Sequence, residues 1–489
     1  MDADTASSIF SLQVILSLLY IITIIFVCMV IIFENRDPVK TLSWVLVITL
    51  IPFVGIILYF FFGQNYRKRK IFSRKGITDS EHFLNTAIQQ IESLNDKLII
   101  RSPGIKSKQH LMTLMLNNER SVLTDNNKIL ILNDAEETYP AMIKEIESAK
   151  HHIHFEIYRF NIDETGNKFR DILIRKAAEG VEVRMIIDDV GSWSFKNRYI
   201  NGMRRAGVQI FPFFPVRFPW LASKINYRNH RKILVIDGKT GFIGGMNIAD
   251  KYIHGLPGIG KWRDTHLKIR GDAVAGMNKV FLTDWYFLSG EILTGNKEYF
   301  PKQRIKGESW IQLASSGPDS DWATIMQAYL AAIATANERV YLCTPYFSPN
   351  ESILNALKTA ALSGKDVRLI IPEKSDSIIA NWNSRSYVSE LLHAGVRVYM
   401  YVSGFNHSKY IVVDGVFSSV GSVNVDMRSF DLDFEVTALI YDEEFANKLE
   451  NIFMNDLRNS KELLFDLWEG RSKKEKYKES LARIFGPLY

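Results

Sequence analysis

Two long runs without a charged side chain open the chain, and a different periodicity follows them. Ser8–Phe33 and Leu42–Phe62 contain no Asp, Glu, Lys or Arg. At ~1.5 Å rise per residue, about 20 residues cross the hydrocarbon core of a bilayer, so each run is long enough to span it. Between them lies the polar stretch ENRDPVKT, which predicts a short turn. The pair predicts a transmembrane hairpin over residues 1–63, with helices at about 8–33 and 42–62. A cleavable signal peptide is the competing reading of the first run. The acidic MDADTAS before it, its length and the second run directly behind it argue against that. Pro52 and Gly55 are tolerated in membrane helices.

Residues 64–124 read as a basic junction and a connecting helical region. Thr78–Glu81 resembles a capping box, and Phe83, Leu84, Ala87, Ile88, Ile91, Leu94 and Leu98 follow at helical spacing. From about residue 125 short apolar strands alternate with helical stretches. HIHFEIYRF, VEVRMIID and VQIFPFF are answered by RVYLCTPYF, DVRLIIP and VRVYMYV, with helical AMIKEIESAK and IMQAYLAAIATA among them. This alternation predicts an α/β architecture.

The pattern also repeats. AAEGVEVRMII aligns with ALSGKDVRLII, and RAGVQIF with HAGVRVY, at an offset of 188 from Ala206 to Ala394. From His230 to His407 the offset is 177, so the first copy carries about eleven extra residues, within FPVRFPWLASKINYR. Two copies predict a pseudo-symmetric pair of α/β halves packed together, 125–304 and 305–489, the second ending in a helical tail.

Composition adds a little. A chain of 489 residues exceeds one ordinary core. Sixty Lys and Arg against 54 Asp and Glu, a formal +6, suit anionic partners without selecting one. Two cysteines, Cys28 in an apolar run and Cys343 in an expected strand, argue against a disulfide framework and a cysteine zinc site. Charge placement says more. Arg67, Lys68, Arg69, Lys70, Arg74 and Lys75 follow the second run, while the turn holds only Arg36 and Lys40. The positive-inside rule then puts both ends of the hairpin, and the bulk of the chain, on the cytoplasmic side of the cell membrane. The basic run also suits anionic lipid.

The most informative repeat is NHRKILVIDG at 229–238 and NHSKYIVVDG at 406–415. On a strand His230 and Lys232 share a face, as do His407 and Lys409. Asp237-Gly238 and Asp414-Gly415 are two-residue hairpin signals. A two-residue turn would pair Val413 with Val416, and so set Ser422 opposite His407 and Gly245 opposite His230. Downstream, GGMN and GSVN return Asn247 and Asn424 at the same offset. Histidine serves as a nucleophile or a general acid/base near neutral pH, and lysine and asparagine neutralise phosphoryl oxygens. One copy is half a mechanism. Two copies set two histidines on one phosphorus, one attacking to form a phosphohistidine and the other handling protons, with no metal or cofactor required. Asp237 and Asp414 have turn-making as their alternative role.

His-x-Lys-x4-Asp, twice, with GGMN and GSVN behind it, resembles the signature of the phospholipase D superfamily. The hairpin, DPVKT and FGQNYRKRK make the whole chain similar to its bacterial-type cardiolipin synthases. That resemblance implies an acidic residue orienting each imidazole: Glu435 in the second half and, at longer spacing, Asp264 in the first. It also implies transfer of a phosphatidyl group between two phosphatidylglycerol molecules, with His230 as nucleophile and His407 as acid/base. Membrane lipid is then the partner, and nucleic acid is not. The alternative is a phospholipase D-type phosphodiesterase with water as acceptor. A scaffold with dead motifs is disfavoured by two intact His and Lys pairs.

Other stretches carry weaker signals. In HHIH, His152 and His154 share a strand face with Glu156, a conceivable metal set against a plain packed strand. Asp188-Asp189, after the strand VRMII, reads as a cap or turn, with lining of the site mouth at the strand's C-terminal end as the alternative. FPFFPVRFPW, with Phe218 and Trp220, reads as a membrane-touching loop or an aromatic core loop. The basic tail RSKKEKYKESLARIF reads as a solvated terminal helix or a lipid-facing one.

Overall fold

The computed structural model describes residues 3–33, 38–59, 90, 102–195, 197–216 and 226–486. The basic run Arg67–Lys75, the expected helix over 83–98 (Gln90 apart), and Arg217, Phe218 and Trp220 lie outside the described residues.

The N-terminal unit holds α1 (Ala3–Phe33), α2 (Pro38–Leu50) and α3 (Pro52–Leu58). The second apolar run is therefore two helices rather than the expected one. Pro52 has no N–H to donate, and its ring forces Ile51 out of the helical region to φ −136°, ψ 67°. Ile31, Ile48 and Tyr59 form a small buried cluster, while Ile22, Phe26, Leu46 and Phe53 are exposed. Among the described residues no helix is long and apolar enough to cross a membrane.

The second unit carries two mixed sheets. The first is built from β1 (Asn127–Leu132), β2 (His152–Ile157), β3 (Glu182–Asp188), β4 (Gln209–Phe213), β5 (Ile233–Ile236), β6 (Thr240–Gly244) and, after the short β7 (Trp262–Arg263), β8 (His266–Gly271). Its order is β1-β8-β6-β5-β2-β3-β4. The second half supplies β9 (Trp310–Ser316), β10 (Arg339–Cys343), β11 (Phe347–Ser348), β12 (Asp366–Pro372), β13 (Arg397–Tyr401), β14 (Phe405–Asn406), β15 (Tyr410–Val413), β16 (Phe417–Gly421), β17 (Val425–Asp426), β18 (Glu435–Tyr441) and β19 (Ser460–Glu462). Here the order is β19-β13-β12-β10-β15-β16-β18-β9. Read from β4 and from β13, the two orders match strand for strand, and β19 is an added edge.

The mixture follows from the connections. β2, β3 and β4 are parallel because helices 164–178 and 197–205 carry the crossovers between them. β5 and β6 are antiparallel because a tight turn joins them. Both faces of these central strands are covered, which is why they read ILVI and YIVV. Ile233 and Val235 point into a core shared with Tyr410, Val412 and Ile440 of the other half. Leu234 and Ile236 point the other way, into the first half's own core.

The hairpin register differs from expectation by one residue. Asp237 and Gly238 take φ of 52° and 62°, Asp414 and Gly415 57° and 65°, as an Asp-Gly turn demands. Lys239 and Val416 close on Ile236 O (2.9 Å) and Val413 O (3.2 Å), and the ladder resumes only at Thr240 and Phe417. The extra residue acts as a bulge and slips the pairing. Ser422 and Gly245 are consequently not set opposite the histidines by the ladder.

Candidate active site

Each histidine lies where the two halves exchange strands. Arg228–His230 runs beside Phe434: His230 N donates to Phe434 O and Phe434 N to Arg228 O, both 2.9 Å. The related contact joins β14 to β7, with Asn406 beside Arg263 and His407 N donating to Arg263 O at 2.6 Å. The residue after Phe434 is Glu435, and the residue after Arg263 is Asp264. His230 Nδ1 thus lies 2.8 Å from Glu435 Oε1, and His407 Nδ1 2.7 Å from Asp264 Oδ2. The carboxylates are exchanged: each serves the imidazole of the other half, not of its own. Their positional equivalence does hold. Gly244 pairs with His266 and Gly421 with Thr437, and the carboxylate stands two residues before each partner.

The flanking motif residues hold this geometry. Asn229 donates to Glu156 (2.5 Å) and its backbone N–H to Asp188 Oδ2 (2.9 Å). In the second half Asn406 donates to Asp456 (3.2 Å). Lys232 and Lys409 are buried, and each ammonium donates to the carbonyl of its own histidine, at 2.6 and 2.5 Å.

Asp237 and Asp414 do not join the site, and their catalytic assignment is corrected. They sit at the far end of the hairpins, seven residues from each histidine, on the order of 20 Å along an extended strand. Asp237 accepts the N–H groups of Lys150, His151 and His152. Asp414 accepts those of Asn337, Glu338 and Arg339, together with the buried ammonium of Lys108 (2.7 Å). Their left-handed turn positions and these amides account for an aspartate there.

Ser422 donates to Glu435 Oε2 and accepts Val436 N–H at 3.0 Å. Gly245 takes the equivalent place beside Asp264, where a Cβ would stand inside contact distance of the carboxylate. Asn247 is engaged on both ends, accepting Arg159 N–H (3.1 Å) and donating to Tyr252 Oη (2.7 Å). Asn424 is buried with its Oδ1 unpaired.

His230, His407, Asn247 and Asn424 line one cavity of about 250 Å³. With both Nδ1 atoms tied to carboxylates, each imidazole offers its Nε2 to that space. The lining also includes Tyr158, Arg159, Lys251, Tyr346, Asp376 and Arg428, none of which sequence reasoning singled out. A signal existed for four of them: Lys251 and Arg428 are related by the offset of 177 that joins the two motifs, and the two tyrosines by the other offset. Tyr158 and Tyr346 follow β2 and β10 at the offset of 188 that relates Ala206 to Ala394.

Burial dominates the electrostatics. It holds both imidazoles well below their ordinary value, with Lys232 and Lys409 adding to the effect. It raises Glu435 to about 8 and Asp264 to about 7, against the pull of Lys232 and Lys409 respectively. It lowers Lys232 to about 7 and Lys409 to about 8. A buried charge is tolerated here only beside its opposite. For a ring that attacks, a neutral imidazole donating Nδ1–H to an ionised carboxylate, with an ammonium near by, satisfies that rule and leaves the Nε2 lone pair available; a ring that gives a proton from Nε2 must be cationic, and its carboxylate partner offsets that charge.

The HHIH histidines are packed elsewhere. His154 Nδ1 lies 2.7 Å from Asn278 Oδ1 and stacks on Phe281, while His151 and His152 contact each other. Among the described residues no group of three or more His, Cys, Asp or Glu is placed to hold a metal ion. Asp188 turns the chain by accepting Val190 and Gly191 N–H, and braces Asn229 as well.

Comparison with known proteins gives concordant matches. The family model described as "Cardiolipin synthase, PLD-like domain" matches residues 142–275 and 329–457, and one described as "Phospholipase D-nuclease N-terminal" matches residues 18–64. The chain is 42% identical over 476 residues to the cardiolipin synthase of Geobacillus thermodenitrificans (strain NG80-2), covering 97% of this chain and 94% of that one. It is 42% identical over 474 residues to the cardiolipin synthase of Alkalihalophilus pseudofirmus OF4, covering 97% and 93%. The solved phosphatidylserine synthase of Haemophilus influenzae Rd KW20 shares the fold, with a TM-score of 0.61 at 17% identity over 79% of this chain and 100% of that one.

Proposed function

The chain belongs to the bacterial-type cardiolipin synthase family of the phospholipase D superfamily, and from that premise we propose that it is a membrane-bound phosphatidyltransferase. It makes cardiolipin and glycerol from two molecules of phosphatidylglycerol. The observation that carries the reading is the pair of imidazoles, each tied through Nδ1 to a buried carboxylate, opening on one cavity.

His230 Nε2 attacks phosphorus. The bond from phosphorus to the headgroup oxygen breaks, and His407, which enters this step protonated at Nε2 with the Asp264 carboxylate offsetting its charge, gives that oxygen its proton as glycerol leaves. A phosphatidyl–His230 remains. The hydroxyl of a second phosphatidylglycerol then loses its proton to His407 and attacks, the P–N bond breaks, and both histidines are restored. Lys232 and Lys409 offset the charge on the non-bridging oxygens. Glu435 and Asp264 hold each ring in the tautomer that exposes Nε2, and stabilise whichever ring becomes cationic.

The N-terminal helices anchor the enzyme in the membrane as a hairpin, with both ends cytoplasmic. Support comes from the two uncharged stretches of sequence, Ser8–Phe33 and Leu42–Phe62, from the match of residues 18–64 to an N-terminal family model, and from the exposed apolar side chains of α1 to α3. An impermeant thiol reagent applied to intact cells should label Arg36→Cys and not Lys473→Cys; the reverse overturns the orientation.

Purified protein with phosphatidylglycerol vesicles tests the reaction itself. Cardiolipin and glycerol in equal amounts are expected. Phosphatidic acid and glycerol without cardiolipin would sink the transfer reading in favour of hydrolysis.

A further inference from the structure

The cavity wall on the His407 side carries polar groups that the two-histidine chemistry does not use. Tyr346 Oη donates to Asp376 Oδ1 at 2.5 Å, and Lys251 Nζ lies 3.3 Å from Asp376 Oδ2. The rings of Tyr252 and Tyr346 stand 5.9 and 6.3 Å from the His407 imidazole. Lys251 Nζ also lies 4.6 Å from the centre of the Trp262 ring, which limits where the ammonium can go.

Asp376 is an acceptor on the cavity lining, where its side chain keeps 22% exposure. Phosphoryl oxygens are acceptors too and have no proton to offer a carboxylate. Hydroxyl groups have one. Asn383 and Asn424 also line the cavity, but their Oδ1 atoms are shut away from it.

We propose that Asp376, held in place by Tyr346 and Lys251, forms a hydroxyl-binding subsite for the glycerol headgroup of phosphatidylglycerol, selecting it over simple alcohols and water. The proposal rests on the transfer reading above and refines it. Leaving glycerol and attacking glycerol both exchange a proton with His407, so both belong on this side, and one subsite serves both steps in turn.

The test separates the two steps. A phosphatidyl donor with a p-nitrophenyl leaving group needs no headgroup subsite to load His230. The full-length protein, loaded in this way, is offered free glycerol and ethanol in competition. Wild type should favour glycerol, and Asp376→Asn should lose about tenfold of that preference, as expected when a charged hydrogen-bond acceptor for a substrate hydroxyl is removed. Tyr346→Phe keeps the ring but frees Asp376, and should lower the preference by about threefold. Equal loss with both acceptors in Asp376→Asn and Tyr346→Phe, with the ratio unchanged, overturns the subsite. A wild type that makes no cardiolipin from phosphatidylglycerol overturns the transfer reading instead.

Discussion

Around His230 the next residue is Arg231, a buried guanidinium paired with Asp284 and donating through Nε to Glu435 O at 3.2 Å. Around His407 the next residue is Ser408, whose hydroxyl accepts from Thr265 Oγ1 at 3.1 Å. Lys409 Nζ lies 3.0 Å from His407 Nδ1 as well as on the carbonyl, whereas Lys232 reaches the carbonyl of His230. The two hairpins share a backbone, and a guanidinium–carboxylate pair stands behind each imidazole: Arg231–Asp284 on the His230 side and Arg263–Asp456 on the His407 side, where Arg263 also donates to Ser408 Oγ at 3.3 Å. Duplication kept the hydrogen-bond ladder and an ion pair behind it. It did not keep the residue after the histidine or the reach of the lysine. Equal backbones with different immediate neighbours should give two histidines that fail at different steps.

The largest effect that could break this comparison comes from the histidines themselves. His230→Ala should lose on the order of 10⁴- to 10⁶-fold in rate and form no covalent adduct. His407→Ala should lose about 10²- to 10⁴-fold and accumulate phosphatidyl–His230, visible by intact mass. An adduct in the first variant and none in the second would reverse the roles.

The exchanged carboxylates come next. Glu435→Gln and Asp264→Asn should each cost about 10²- to 10⁴-fold. Because Glu435 serves His230, its loss should slow adduct formation. Asp264 serves His407, so its loss should slow adduct breakdown. Pairing within each half would produce the opposite assignment, and single-turnover traces distinguish the two.

Much of this arrangement was legible in the chain and some was not, for reasons that lie in the residues. The α/β alternation and the offset of 177 locate both hairpins because strand periodicity and Asp-Gly turns are local. The exchange of Glu435 and Asp264 is not local. It arises where Phe434 pairs with Arg228 and Asn406 with Arg263, across the interface between halves. The one-residue slip comes from Lys239 and Val416, whose side chains carry no turn signal. The break at Ile51 was readable from Pro52, a residue that tolerance in membrane helices made easy to pass over. Tyr158 and Tyr346 were within reach, since a repeat offset already in hand relates them.

The turn aspartates sharpen the comparison away from the chemistry. Asp237 caps three amides, and Asp414 caps three amides and the buried Lys108. Asp414→Ala strands a buried ammonium and should cost about 3–5 kcal/mol. Asp237→Ala loses only hydrogen bonds and should cost about 1–3 kcal/mol. Thermal unfolding midpoints report the difference. The folded fraction of each variant should turn over near the wild-type rate, and a hundredfold loss there would return these residues to the reaction.

The smallest expected effect isolates Ser422, whose place in the first half is taken by Gly245. Burial raises the Glu435 carboxyl; Lys232 and the Ser422 hydroxyl pull it down by favouring the ionised form. Ser422→Ala removes one of those downward pulls, so Glu435 must rise further. At any pH below the new value less Glu435 is ionised, and fewer His230 rings are held with Nε2 exposed. The acidic limb of adduct formation should therefore move up by about one to two pH units, the equivalent of a hydrogen bond to a charged group at 1.36 kcal/mol per unit. Adduct breakdown depends on Asp264, which takes no hydrogen bond from residue 245, so its acidic limb should stay in place. Rapid-quench measurements of the two steps between pH 5 and 9 check both halves at once, and a limb that moves in both steps would mean the two carboxylates titrate as one unit.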